Sequence, residues 1–234
     1  MYLFCLPYAG GSGSIFNRWK SELNSFIDVI PIELAGRGKR FTEPLYTDFD
    51  EAVNDIFNIV KNDLEDPYSF FGHSMGSMLI YELCHKIKEK GMSSAVHIFF
   101  SGSKAPNILR EEELIHKLPR DEFKQKVIEL GGTPEELFEN EELLDLFLPI
   151  LKADFRIVEE YKYIEKIKLD CNITILYGKE EYSNMAKITD WKRHTKNSCN
   201  IFGFEGGHFF INKKEYEVLK VINNTLINYV TRIL

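Results

Sequence analysis

Tyr68-Ser69-Phe70-Phe71-Gly72-His73-Ser74-Met75-Gly76 is the stretch on which the reading of this chain turns. Four residues that read as a short buried strand run into G-x-S-x-G, the pattern of a sharp strand-to-helix turn that lifts a serine hydroxyl off the end of a sheet. Both glycines have a steric reason to be there, because a side chain at Gly72 or Gly76 would collide with the neighbouring strand or helix. With Gly and Ser at ordinary frequencies the pentapeptide arises by chance in about 5–10% of chains this long, so its context decides. Downstream, Met78 to Ile87 places apolar residues at helical spacing and the run stops at Gly91, giving the order strand, turn, helix.

A serine at such an elbow needs a base and an orienting acid. In the α/β-hydrolase arrangement they follow it along the chain as acid, then histidine. Two histidines lie well downstream. His208, in Gly206-Gly207-His208-Phe209-Phe210, comes directly after the strand-like Cys199 to Phe204, in a tight loop that can bring an imidazole over Ser74. His194, in Asp190-Trp191-Lys192-Arg193-His194, belongs to a charged helical stretch and is expected to face solvent. His73 reads as filler of the elbow turn, and His85, His97 and His116 as structural imidazoles. For the acid, the apolar strand Ile173 to Tyr177 ends in Gly178-Lys179-Glu180-Glu181. Glu181 is the first candidate, with Glu180 and Asp190 as rivals. A glutamate can hold the imidazole Nδ1 proton and stabilise the imidazolium as an aspartate does.

Stabilising a developing oxyanion takes backbone N–H groups aimed at it. Met75, the residue after the serine, is one expected donor. The other is expected from Pro7-Tyr8-Ala9-Gly10-Gly11-Ser12-Gly13-Ser14, a glycine-rich loop after the strand Tyr2 to Leu6, with Ala9 as the candidate. This loop has neither the G-K-[ST] of a phosphate-binding P-loop nor the G-x-G-x-x-G of a dinucleotide fold.

Four motifs, P-Y-A-G-G-S at Pro7, G-R-G-x-R at Gly36 to Arg40, G-H-S-M-G at the elbow and G-G-H-F-F at Gly206, occur in an order and at intervals that resemble the type II thioesterases accompanying non-ribosomal peptide and polyketide synthases. The likeness covers nearly the whole chain. It implies that Ser74 is acylated from a carrier-protein phosphopantetheine thioester, that His208 is the base, and that Ala9 and Met75 form the oxyanion hole. It also implies acyl- or peptidyl-carrier proteins as partners, an editing role with short acyl units, and no cofactor beyond the phosphopantetheine that the substrate carries. The chain departs from the family at Glu181, where Asp is usual, and at Ala35, where Pro is usual. The residues alone say acyl hydrolase, and an oxygen-ester esterase or lipase, an acyltransferase or a catalytically silent carrier-binding module are the alternatives.

Around these motifs, strand-like and helical runs alternate. Phe16 to Phe26 reads as a helix capped by Ser14, Asp28 to Glu33 as a strand, Phe49 to Leu64 as an amphipathic helix, Ala95 to Ser101 as a strand, and Lys214 to Tyr229 as a last helix packing through Tyr216, Leu219, Val221, Ile222, Leu226 and Ile227. The expected fold is α/β: an α/β-hydrolase with a mostly parallel central sheet, helices on both faces and a helical lid at about 105–166, all within one domain, residues 1–234. In the lid, Asp121 to Leu130 and Glu141 to Lys152 read as helices around a Gly131-Gly132-Thr133-Pro134 hinge. Phe123, Val127, Leu130, Leu143, Leu144, Phe147, Leu148 and Leu151 are candidates to line an acyl pocket or to form lid core.

Composition adds exclusions. With 29 Lys and Arg against 36 Asp and Glu the net charge is −7, which argues against general affinity for nucleic acid or anionic membranes. Lys104, Arg110, Lys117, Arg120, Lys124 and Lys126 are a candidate basic patch for an acidic carrier, or a solvated helical face. The four cysteines, Cys5, Cys84, Cys171 and Cys199, form no C-x-x-C pair and read as reduced, buried thiols. There is no sign of a metal site, a signal peptide or a membrane-spanning run, so the expected location is the cytoplasm.

Overall fold

The apolar runs become six strands: β1 (Tyr2–Leu6), β2 (Asp28–Pro31), β3 (Tyr68–His73), β4 (His97–Ser101), β5 (Asn172–Gly178) and β6 (Cys199–Phe204). They were obtained in a computed structural model that describes residues 1–108, 114–132, 135–181 and 185–230. The spatial order is β2-β1-β3-β4-β5-β6, with parallel pairing at each of the five contacts. Parallel strands need crossovers, and helices supply them: α1 (Trp19–Glu22), α2 (Phe49–Val60), α3 (Met75–Glu89), α4 (Arg120–Leu130), α5 (Glu135–Glu139), α6 (Glu141–Glu160) and α7 (Ala186–Thr189), with α8 (Phe210–Lys213) and α9 (Glu215–Val230) after the last strand.

Alternation along each strand sorts the core into two layers. Phe4, Leu6, Phe70, Ile98, Phe100, Ile173 and Ile175 face α2 and α3, whereas Leu3, Cys5, Phe71, Phe99 and Leu176 face Phe16, Trp19 and the Val218, Leu219, Ile222 and Leu226 stripe of α9. A third, smaller core of Phe123, Val127, Leu144, Leu148 and Leu151 lies within the helices inserted between β4 and β5. The strand order reverses direction at β1 and β3. In open parallel sheets the crevice at the carboxyl ends of the strands at such a switch point is where ligands bind.

Phe16 to Phe26 is not one helix. Gly13–Phe16 is a 3₁₀ turn capped by Ser12, whose Oγ accepts the Ser14 N–H at 3.1 Å, and α1 ends as Leu23 turns extended at ψ 158° and the chain is tied to α9 by Asn24 N–H to Asn223 Oδ1 at 2.9 Å. The periodic Phe16, Trp19 and Leu23 are all buried, which is what made the run look continuous. Helix α6 does not stop at Lys152. It continues to Glu160, because Asp154, Ile157 and Val158 extend its buried face; Pro149, within the expected span, lies on the exposed side, where the carbonyl it orphans can meet water. On α9, Tyr216 and Ile227 are exposed and lie off the packed stripe.

His194 is buried, not solvent-facing. It closes a 3₁₀ turn (Asp190–His194) that stacks Trp191 on Phe100 at 4.1 Å, and its ring bonds the Tyr81 hydroxyl at 3.2 Å and Asn107 Oδ1 at 2.6 Å. Cys5 and Cys171 are buried and Cys84 and Cys199 half-buried, all four unbridged. No helix among the described residues is long and apolar enough to cross a membrane.

His85 and His97 are held neutral by burial, which pushes both down to about 4, with nearby Lys166 and Lys88 adding to the effect on His85. An unfolded chain binds protons at these sites from about pH 6.5 downward, whereas the folded chain does not until about pH 4, so the stability they contribute is present above that window and lost as pH falls through it. Each contributes a slope of up to about 1.4 kcal/mol per pH unit. Urea unfolding followed from pH 7 to pH 5 is therefore expected to show falling stability, and His97→Gln is expected to flatten the slope; an unchanged slope in that variant would contradict the assignment.

Candidate active site at the carboxyl ends of β1 and β3

Ser74 follows the last residue of β3 and precedes the first of α3, at φ +54° and ψ −114°. Among the described residues it is the only non-glycine with positive φ, a conformation that L side chains adopt at a cost of about 1–3 kcal/mol and that surrounding structure must enforce. The enforcement is visible. A Cβ on Gly72 would lie 2.5 Å from the Gly76 carbonyl carbon, and one on Gly76 would lie 2.4 Å from the Leu6 carbonyl oxygen, so α3 starts in direct backbone contact with β3 and β1. Ser74 N–H donates to the Ser101 carbonyl at 2.8 Å. Ser77 Oγ donates to the Gly72 carbonyl at 2.7 Å and accepts the Ser101 N–H at 3.0 Å. These two serines pin the elbow, and sequence reasoning missed them because only the parallel register of β3 and β4 brings them together.

Glu181 and His208 arrive on the loops after β5 and β6. Their side chains meet, His208 Nδ1 to Glu181 Oε1 at 2.7 Å, with each about three-quarters buried. The two loops are tied by backbone bonds from Lys179 N–H to the Phe204 carbonyl at 2.9 Å and from Glu180 N–H to the Gly206 carbonyl at 3.1 Å. Gly178 permits this approach, since a Cβ there would sit 2.1 Å from the Gly207 carbonyl oxygen. The rival acids point elsewhere: Glu180 is exposed, and Asp190 accepts from Asn107 at 2.5 Å and pairs with Arg193.

Beneath His208 lies His73, fully buried. Its Nδ1 bonds Ser101 Oγ at 2.8 Å and its ring is 5.2 Å from that of His208, with Phe210, Phe209 and Tyr8 around it. Gly102, at φ +58°, makes room for this ring, for a Cβ there would meet His73 Cε1 at 2.7 Å. Burial, and secondarily the charge on His208, hold His73 well below the ordinary histidine range, so the floor of the site is a neutral imidazole.

Ser74, His208, Glu181, Ala9 and Met75 all line one cavity of about 840 Å³. The far wall is formed by the helices between β4 and β5, through Val127, Leu130, Leu151, Phe155 and Val158. Of the eight lid residues singled out from sequence, Val127, Leu130 and Leu151 line this cavity. Phe123, Leu144 and Leu148 form the inserted core, Phe147 packs against that core, and Leu143 is exposed. Gly131 and Gly132 have φ +73° and +84°, and Gly132 is a close-approach point, since a Cβ there would overlap the Phe209 ring at 2.1 Å; Thr133 and Pro134 lie outside the described residues. Within the candidate basic patch, Arg120 pairs with Glu141 and Asp145, Lys124 with Glu141 and Lys126 with Glu129. Arg110 lies outside the described residues.

The G-R-G-x-R motif takes its place here as well. Arg40 pairs with Glu43 and with Asp55 of α2, while buried Arg37 reaches Asp154 on α6 at 2.6 and 2.7 Å.

A parallel sheet carrying a serine on a strained elbow, with a His–acid pair from the following loops, defines an α/β-hydrolase. The chain belongs to the thioesterase domain family, whose model matches residues 1–226, and it is a thioester hydrolase. It is 38% identical to "Linear gramicidin dehydrogenase LgrE" of Brevibacillus parabrevis over 97% of this chain and 88% of that one. To the medium-chain S-acyl fatty acid synthase thioesterase of Anas platyrhynchos it is 36% identical, over 98% of this chain and 90% of that one. The crystal structure of ClbQ from the colibactin NRPS/PKS pathway superposes with a TM-score of 0.92 at 34% identity, covering 97% of each chain.

Gly72→Ala is expected to destabilise the protein by about 1–3 kcal/mol or more, because the backbone it meets cannot yield as a side chain could. Thermal unfolding checks this, and a melting temperature equal to wild type would show that the elbow has slack.

Proposed function

We propose that this thioesterase hydrolyses acyl groups held as thioesters on the phosphopantetheine arm of a carrier protein, in the service of a non-ribosomal peptide or polyketide synthase, and that it does so in the cytoplasm. The observation that carries the mechanism is the 2.7 Å contact between His208 Nδ1 and Glu181 in the cavity that Ser74 lines. Glu181 accepts a hydrogen bond from Nδ1–H, which keeps the ring proton there and leaves Nε2 unprotonated. His208 takes the Ser74 proton as the hydroxyl oxygen adds to the thioester carbonyl. The Ala9 and Met75 N–H groups receive the resulting oxyanion. Its collapse breaks the C–S bond and releases the pantetheine thiol, which takes the proton from His208. Water then adds to the acyl-serine as His208 removes its proton, and collapse returns that proton to Ser74 Oγ and releases the acid. Neutral His73 beneath the imidazolium adds no competing positive charge.

No metal or cofactor of the protein's own enters these steps, since phosphopantetheine arrives as part of the substrate. The 840 Å³ cavity is in the upper part of the range of ligand pockets and suits an arm terminus together with an acyl chain. The carrier linkage is supported by relatives whose names place them in gramicidin and colibactin biosynthesis. Dehydrogenase, the word in one of those names, is not carried over, since the loop after β1 has no G-x-G-x-x-G and the site is equipped for acyl transfer. Editing of misacylated carriers is the proposed role, with the inserted helices as the lid of one hydrolase domain.

Mass spectrometry of acyl loss from a panel of acylated carrier proteins tests this. Wild type is expected to clear short acyl groups, and Ser74→Ala to be slower by about 10³-fold or more. Preference for simple aryl esters over every acyl-carrier would overturn the carrier assignment. In the same assay Glu181→Gln is expected to lose about 10²–10⁴-fold in kcat while Glu180→Ala stays within about twofold; equal small losses would remove Glu181 from the mechanism.

A further inference from the structure

Asp154 is 1% exposed and Arg37 is 4% exposed. They meet as a bidentate pair, Nη1 to Oδ2 at 2.6 Å and Nη2 to Oδ1 at 2.7 Å. Burial disfavours the Arg37 charge, but the facing carboxylate more than offsets this and holds the guanidinium above its ordinary value. The desolvation cost of such a pair can exceed its attraction, and apolar residues of the same volume are often as stable. Stability is therefore a weak reason for placing two charges here, and the remaining contacts give a stronger one.

Asp154 Oδ2 also accepts the Gly10 N–H at 2.7 Å, and Arg37 Nη1 donates to the Gly11 carbonyl at 3.2 Å. Tyr8 to Gly11 is a tight turn, closed by Gly11 N–H to the Tyr8 carbonyl at 2.8 Å, with Ala9 and Gly10 as its central residues. Gly10 has φ +76° and Ala9 does not have positive φ, which makes this a type II turn. The alternative type I turn differs by a flip of the Ala9–Gly10 peptide, which would withdraw the Gly10 N–H and swing the Ala9 carbonyl in its place. A carboxylate at Gly10 stabilises the first arrangement and repels the second. Residue 10 is glycine on two counts, the positive φ and the close approach of α6, for a Cβ there would meet Leu151 Cδ2 at 2.5 Å and Phe147 Cζ at 3.2 Å.

We propose that Asp154, held and neutralised by Arg37, is a positioning residue for the oxyanion hole: by taking the Gly10 N–H it locks the Tyr8–Gly11 turn and so aims the Ala9 amide at the acyl oxygen bound to Ser74. This rests on the Ser74 and Ala9 roles of the preceding section. Arg37 is needed because a bare carboxylate this close would oppose the developing negative charge. It follows that α6 is part of the catalytic frame.

Steady-state kinetics on a soluble acyl-pantetheine thioester, together with binding of an alkyl boronic acid whose Ser74 adduct places an oxygen in the oxyanion hole, test the proposal. Asp154→Ala is expected to lower kcat by about 10²-fold with KM within about twofold, and to weaken boronate binding by a similar factor. Asp154→Asn, which keeps an oxygen acceptor for Gly10, is expected to recover at least about tenfold of that loss. Should Asp154→Ala fail to fold, the double variant Arg37→Met/Asp154→Leu removes both charges and still lacks the Gly10 acceptor, and the same loss is expected of it. Folded variants with wild-type kcat, or a kcat loss without a parallel loss of boronate affinity, would overturn the proposal. Ser74→Ala run alongside separates the two levels: if it retains activity the mechanism itself fails, whereas its inactivity beside fully active Asp154 variants removes only the role of Asp154.

Discussion

A serine held at φ +54° is the condition on which this architecture rests. The conformation is unfavourable by itself and survives only where backbone packs so closely that the chain has no other path. Gly72 and Gly76 create that closeness by letting α3 start against β3 and β1, and Ser77 and Ser101 hold it with hydrogen bonds to the turn. The same strain lifts the Ser74 side chain clear of the sheet and leaves the Met75 N–H at the first turn of a helix, where it has no intrahelical acceptor. One local distortion thus presents a hydroxyl and leaves a backbone N–H free of the helix ladder.

The remaining parts reach that serine from separate stretches of chain, and each is tied to its neighbour at close range. The acid and histidine loops share backbone hydrogen bonds through Gly178, so Glu181 and His208 are set relative to each other before either is set relative to Ser74. The loop after β1 is tied to α6 by Asp154, which Arg37 holds. Packing of this kind reduces the reorganisation a site must undergo when charge develops, which is where much of the rate enhancement of hydrolases of this class originates.

Legibility in the sequence followed the range of the interactions. The elbow, its flanking strand and helix, and the glycine-flanked His208 could be read because each is specified by residues within a few positions of one another. Glu181 was readable as a loop carboxylate after an apolar strand, but its preference over Glu180 and Asp190 had no local signature. The choice comes from the direction of the Gly178 to Glu181 loop, which is set by β6. His194 was misjudged because Lys192 and Arg193 are indeed exposed, while the burial of its own ring depends on Tyr81 from α3 and Asn107 from the β4 loop. The end of α6 was misplaced because Asp154 reads as a polar interruption of the apolar face, and only its pairing with Arg37 explains why that face continues through it to Ile157 and Val158. The helix at Phe16 was overextended because a buried 3₁₀ turn and a short α-turn reproduce the same apolar spacing.

What the chain specified locally was an α/β-hydrolase with a serine elbow, since period-2 and period-3.6 patterning and the steric demands of glycine act over short spans. Only tertiary structure decided which lid side chains face the cavity and which pack on each other, because the two classes share the same helical periodicity. It also decided the partner of Arg37. That arginine lies 117 positions from Asp154, and no pattern in sequence could have joined them; the parallel sheet does so by bringing α6 and the loop after β2 to one end of the strands, where a buried cation must find a carboxylate.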